Sequence, residues 1–225
     1  MRSSNETNNM SRSVKFALIS VLVWLLFLSA LLGCQSTNKN LIEDPPSKRP
    51  RMAWDGKHEE AGLWTEYAIQ AVAETKLATA APKDFSNWCP SYNVLSVEQK
   101  NIVFALLLSR MAQFESGFRP DTTFTEGFND SKGKPVISRG LLQISIESAN
   151  GYGCGIIDAR ELHNPKTNLS CGAKIVERWV LRDGVFSGKL GSKWLGVGRY
   201  WSVMRSRSGS YKKIQSWLKS HEVCK

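Results

Sequence analysis

The sequence predicts a mainly α-helical fold of the α+β class with one small β-hairpin, and three observations predict it. The stretch 96–118, SVEQKNIVFALLLSRMAQFESGF, is apolar almost all the way round from Ile102 to Leu108, the pattern of a helix buried at the centre of a domain. Alternating polar and apolar residues follow it, TTFTEGF and then PVISRGLLQIS, on either side of the turn-forming NDSKGK. Helical periodicity then returns on both flanks of this central pair, and 225 residues are enough for one well-packed domain plus appendages.

Taken in order, the chain opens with Arg12 and Lys15 before an apolar run over 16–33, interrupted only by Ser20 and Ser29 and ending Leu31-Leu32-Gly33-Cys34. A basic start, an apolar middle and small residues at the end mark a secretory leader. This one resembles a bacterial lipoprotein signal, which implies removal of 1–33, lipidation of Cys34 and a protein held in the cell envelope outside the cytoplasm. Gln35 after the cysteine, rather than Asp, implies sorting to an outer membrane facing the periplasm. An uncleaved membrane anchor is the alternative, because about 18 residues can just span a bilayer. Both place the rest of the chain outside the cytoplasm.

Residues 34–57 are polar, punctuated by Pro45, Pro46 and Pro50, and carry Lys48, Arg49 and Arg51. That composition builds no core, so it predicts a flexible tether between the lipid and a domain spanning 58–225. A helix is expected over about 59–79 with Leu63, Tyr67, Ala71 and Val72 on its inner side, and then a loop to Leu95. Ser96 and Gln99 make a capping box for the central helix, which Gly117 and Pro120 stop. After the hairpin, helices are expected over about 145–149, 168–183, 194–206 and 211–222.

Setting Cys34 aside leaves Cys89, Cys154, Cys171 and Cys224, an even number in an oxidising compartment. Of three possible pairings, locality favours Cys154 with Cys171, leaving Cys89 with Cys224. There is no C-x-x-C pair and His58, His163 and His221 are scattered, so no metal site is expected.

The chemistry points to Glu115. It follows Phe104, Leu107, Leu108 and Met111 at helical spacing, so a carboxyl sits on the apolar face at the C-terminal end of the buried helix. Poor solvation and the negative end of the helix dipole both favour its protonated form. Such a position is also where a helix ordinarily first reaches water, and later residues decide between the two.

Glu115-Ser116-Gly117-Phe118-Arg119-Pro120, then Gly140-Leu141-Leu142-Gln143-Ile144, then Asn164-Pro165 with Asn168 and Gly172, and finally Tyr200 stand in one order. This set resembles the soluble lytic transglycosylases, relatives of goose-type lysozyme. The resemblance implies a lysozyme-like fold and a peptidoglycan lytic transglycosylase that cleaves the β-1,4 bond between N-acetylmuramic acid and N-acetylglucosamine, forming the 1,6-anhydro sugar. Glu115 then matches the single catalytic acid and base, and Ser116 the serine that places the substrate or the acid. Gly140 and Gln143 match an element lining the sugar cleft, where the glycine lets backbone approach the glycan, and Tyr200 matches a tyrosine near the acid. Arg199-Tyr200-Trp201-Ser202 departs from the family's Ala-Tyr-Asn-Ala, which puts the Tyr200 match and the asparagine's usual contact in question.

One shielded glutamate suffices for transglycosylation, because the 6-hydroxyl of the muramic acid does the work of the second carboxylate in ordinary glycosidases. Asp121, Glu126 and Asp130 offer second acids; one facing Glu115 would make the enzyme a hydrolytic muramidase. The plainer expectation is a turn role for Asp130 and solvated side chains for Asp121 and Glu126, with Glu147 and Glu161 as surface or capping residues. A non-catalytic wall-binding lipoprotein is a further alternative. The net charge of +10, from 30 Lys and Arg against 20 Asp and Glu, suits a polyanionic wall, and no nucleic-acid motif accompanies it. The expected partners are peptidoglycan strands and, through lipid, a membrane. A monomer without cofactor is expected.

Overall fold

The computed structural model describes residues 49–225, with Pro50–Lys225 as one unit; the expected leader, Cys34 and residues 34–48 of the tether lie outside the described residues. Among the described residues are helices α1 (Ala61–Ala73), α2 (Val97–Glu115), α3 (Ile146–Gly151), α4 (Pro165–Asp183) and α5 (Gly209–Lys219). Strands β1 (Thr123–Asn129), β2 (Pro135–Arg139) and β3 (Ile144–Ser145) form one antiparallel sheet, and β4 (Ser187–Leu190) pairs with β5 (Lys193–Gly196) in a second. The class is mixed α+β, with helix predominating.

The central helix forms as its sequence dictates. Ser96 Oγ accepts from the Gln99 amide, the Gln99 side chain accepts from the Ser96 amide, and Val103 through Ser109 are buried without interruption. α1, α5 and the turn Leu77–Thr79 pack against α2, and α1 also packs on α4. Phe104 joins Phe85, Trp88, Tyr92 and Phe186 in a cluster of edge-on and tilted rings with centroids 4.3–6.3 Å apart. Such ring pairs add about 0.5–1.5 kcal/mol each beyond area burial.

Both disulfides form as locality favours, Cys154–Cys171 and Cys89–Cys224. Two bridges fit a compartment outside the cytoplasm. The second ties the loop before α2 to the chain end across 135 residues.

Several expectations need correction. Residues 50–57 of the expected tether belong to the folded unit, with Met52 and Trp54 buried in its core, so the domain begins ahead of 58. α1 ends at Ala73, and its inner face is Ala61, Trp64, Thr65, Ala68, Ala71 and Val72, while Leu63 is 47 % exposed. The bulk of Trp64, with its indole edge-on to Trp54, outweighs Leu63 in deciding which face turns in. The helix expected over 194–206 is instead β5 followed by two 3-10 turns, Val197–Arg199 and Ser202–Met204. Gly196 decides this: at φ +57° its backbone closes on the Phe186 carbonyl, where a Cβ would lie 2.0 Å from oxygen. Finally, β4–β5 is a second hairpin, absent from the sequence expectation because SGKLGSKWLG has little alternation to reveal it.

α4 begins at Pro165, ahead of the expected 168, because Asn164 caps it by accepting from the Thr167 amide and Pro165 needs no amide partner at the first helical position.

Candidate active site

α2 ends on Glu115. The next three residues turn the chain sharply, with Gly117 and Phe118 at φ +61° and +65°, and Ser116 braces the turn by donating Oγ–H to the Ala112 carbonyl at 3.2 Å. Ser116 is 3 % exposed, so its hydroxyl secures the end of the helix and thereby the acid. Glu115 itself is half-buried, and its Oε1 is shielded from water with no hydrogen-bond partner. Burial first, and the negative charge of Glu126 second, push its carboxyl up to about 8. It is therefore protonated at neutral pH.

Glu126 sits mid-way along β1, the single residue of that strand not exposed. Ser138 on β2, itself buried, donates its hydroxyl to Glu126 Oε1 at 2.6 Å and so fixes the carboxylate. Pairing of Phe124 with Ser138 and Thr125 with Ile137, and a bulge before Asn129, set this placement. The expectation that Glu126 is merely solvated is thus corrected: the hairpin brings its charge to bear on Glu115. Asp121 is exposed. Asp130 is a turn residue as expected, its Oδ1 accepting from the Lys132 and Lys134 amides at 2.8 Å. Glu147 is exposed, and Glu161 completes a capping box with Asp158.

The 140–143 turn is tied to Thr122, just ahead of β1. Gly140 N–H donates to the Thr122 carbonyl, and Gln143 Nε2 donates to the Gly140 and Thr122 carbonyls at 2.8 and 3.2 Å. Gln143 is held at φ +49°, and its Oε1 is buried without a partner. Gly140 serves packing rather than an approach to sugar: at φ +75°, a Cβ there would stand 2.1 Å from the Leu162 carbonyl and 2.4 Å from Asn168 Nδ2.

Asn168 is the clamp. Its Oδ1 accepts from the Leu142 amide at 2.8 Å, and its Nδ2 donates to the Arg139 and Leu162 carbonyls at 3.0 and 2.8 Å. Gly172, one turn on, leaves room for Leu142, since a Cβ would fall 2.2 Å from Leu142 Cδ1.

Tyr200 follows the turn Val197–Arg199 with its hydroxyl in hydrogen-bonding reach of the Ser148 side chain and the Ser145 backbone, and close enough to feel the charge of Glu115. Burial pushes that hydroxyl up to about 12, so it stays protonated. The residues beside it have definite tasks. Trp201 donates Nε1–H to the Leu142 carbonyl at 2.8 Å, and Arg199 forms a two-point ion pair with Asp183 at 2.6 and 3.1 Å.

No family model and no curated protein matches the chain. Among solved structures, the wild-type form 2 of Bd0314 DslA, a Bdellovibrio protein, is 44 % identical with a TM-score of 0.76. The match covers 80 % of this chain and 100 % of that one. The chain belongs to the DslA family. Two further DslA structures, each with one glutamate replaced by glutamine, match with the same identity, coverage and TM-score.

In this DslA relative Glu126 and Tyr200 lie within electrostatic reach of Glu115, Ser116 secures the helix end behind the acid, and Gly140 and Gln143 are hydrogen-bonded to Thr122 just ahead of β1. Sequence reasoning offered Glu126 with Asp121 and Asp130 as candidate second acids without choosing among them, and missed Ser138. The signal was available in the alternation of β1 against β2, which sets a serine hydroxyl within reach of a strand glutamate. Among the described residues no three His, Cys, Asp or Glu side chains form a group able to hold a metal ion.

Proposed function

We propose that the chain is a lysozyme-like, peptidoglycan-cleaving glycosidase that hydrolyses the β-1,4 bond between N-acetylmuramic acid and N-acetylglucosamine. The observation that carries this is Glu115: a protonated carboxyl at neutral pH, with one buried oxygen that no protein group satisfies, facing the charge of Glu126. Glu115 gives its proton to the glycosidic oxygen as the bond to the anomeric carbon breaks. The Glu126 carboxylate takes a proton from the attacking water or attacks the anomeric carbon itself, as paired carboxylates do in glycosidases.

The DslA structures support assigning both acids. Their replaced glutamates stand at positions 143 and 154 of that protein, eleven apart, and Glu115 and Glu126 are the one pair of glutamates in this chain with that spacing. A single acid would suffice for transglycosylation; an ordered second one favours hydrolysis.

Transglycosylation to the 1,6-anhydro sugar is the second reading. It rests on the ordered motif from Glu115 to Tyr200, and the Tyr200 hydroxyl near the acid favours it. Mass analysis of digested wall separates the two: reducing ends mark hydrolysis and anhydro-muropeptides mark transglycosylation. Wild-type protein that releases no more wall fragments than Glu115→Gln would leave only a non-catalytic wall binder. We also propose a lipid anchor at Cys34 in the outer membrane, tested by labelling cells with an alkyne fatty acid; a Cys34→Ser protein still labelled would refute it.

A further inference from the structure

A groove of about 1350 Å3 runs beside the site between α1, α3 and α4. It does not include Glu115. Its lining, however, includes Ser148 and Tyr152, the residues that hold Tyr200: Ser148 meets the Tyr200 hydroxyl, and the Tyr152 and Tyr200 rings stand edge-on at 5.9 Å. The groove therefore opens from the same wall that positions the site.

Its lining is cationic. Lys174, Arg178 and Arg182 recur every four residues on α4, giving one exposed stripe, and Lys76 adds a fourth positive charge from the end of α1. Like charges spaced four apart on a helix cost about 0.2–0.5 kcal/mol per pair, so the stripe is not there for the helix. Two acids line the groove, and both carboxylates are engaged: Glu74 Oε1 accepts from Gln70, and Glu177 Oε1 accepts from the Lys76 amide at 2.7 Å.

The floor is aromatic and presents donors. Trp179 Nε1–H donates to the Tyr152 hydroxyl at 2.9 Å, which leaves the Tyr152 proton for an acceptor. Arg182 lies over the Trp179 ring at 5.0 Å. Burial raises the Tyr152 phenol and keeps it protonated, while the positive charges of Arg178, Arg182 and Arg199 act on it in the opposite sense. Arg199 is held by Asp183, so Arg178 and Arg182 are the guanidinium groups left to meet a ligand.

We propose that this groove binds an acidic peptide, namely the carboxylate-bearing stem attached to the glycan strand, with Arg178, Arg182 and the Tyr152 hydroxyl receiving its carboxylates. Guanidinium forks pair with carboxylates at two points, and a planar aromatic floor takes the aliphatic parts of such a chain. The groove adjoins the glycan site through Ser148 and Tyr152, so one strand can occupy both. This inference rests on the glycosidase reading above for its ligand.

The test compares wall glycan carrying its stems with the same glycan stripped of them by an amidase, cut by wild type and by the double variant Arg178→Glu, Arg182→Glu. Both positions are exposed, so folding is expected to survive and is checked by far-UV circular dichroism. The double variant is expected to raise KM about five- to tenfold on stem-bearing glycan and to leave stripped glycan unaffected. Equal effects on both substrates, or none on either, overturn the proposal. A parallel titration does not depend on catalysis: the synthetic peptide L-Ala-γ-D-Glu-L-Lys-D-Ala-D-Ala is expected to change wild-type tryptophan fluorescence, and its amidated form or the double variant is expected to show no change. Peptide binding with no cleavage of either glycan would sink the glycosidase reading and keep the groove. Cleavage with no carboxylate-dependent binding would do the reverse.

Discussion

Trp201 donates its indole N–H to the Leu142 carbonyl at 2.8 Å, on the opposite side of that residue from the amide that Asn168 receives. Leu142 is thus gripped at both ends of its backbone, by α4 and by the segment carrying Tyr200. Its side chain fills the space left by Gly172. The 140–143 turn takes its position from this grip, so Trp201 has a structural task in this fold. Trp201→Phe keeps the ring and removes the donor, and unfolding in urea is expected to show a loss of about 1–3 kcal/mol from the unsatisfied carbonyl.

Gly140→Ala tests the packing account of that glycine. A Cβ would clash with the Leu162 carbonyl at 2.1 Å and force an alanine to φ +75°. A loss of more than about 2 kcal/mol in urea unfolding is expected. A change of under half that would mean the glycine is kept for substrate after all.

Glu115 should weaken the fold it serves. Its folded carboxyl titrates near 8 against an ordinary value of 4.5, so between those pH values the unfolded chain binds fewer protons than the native one, and stability falls as pH rises through that window. Glu115→Gln removes the penalty. Denaturation is expected to show a gain on the order of 1–3 kcal/mol at pH 7 that vanishes below about pH 4.5, alongside a drop in wall cleavage of at least ~100-fold. A variant less stable than wild type at pH 7 would contradict the burial of this acid.

Glu126→Gln removes the nearby negative charge, so the Glu115 carboxyl is expected to titrate at lower pH, measured by NMR with 13C-labelled glutamate. If Glu126 is the second carboxylate, cleavage also falls by ~100-fold or more, whereas a pure transglycosylase would keep most of its rate.

The two disulfides differ in the loop they close. Replacing Cys89 and Cys224 by serine opens the 135-residue loop, and calorimetry is expected to show a cost near 5 kcal/mol, against about 3 kcal/mol for Cys154 with Cys171 over a separation of 17.

By itself the sequence determined the buried central helix, its Ser96 cap, the first hairpin and the position of Glu115 on an apolar face, because each follows from local periodicity and capping chemistry. It carried the order of the motif residues but not their tasks: Gly140, Asn168 and Gly172 turn out to hold one loop against one helix. Tertiary structure alone decided that Glu126 lies within electrostatic reach of Glu115, that Trp201 grips Leu142, and that 194–206 is a strand and turns rather than a helix. Those outcomes depend on which distant groups come within hydrogen-bonding and Coulombic range, and no local pattern encodes a distance across the fold.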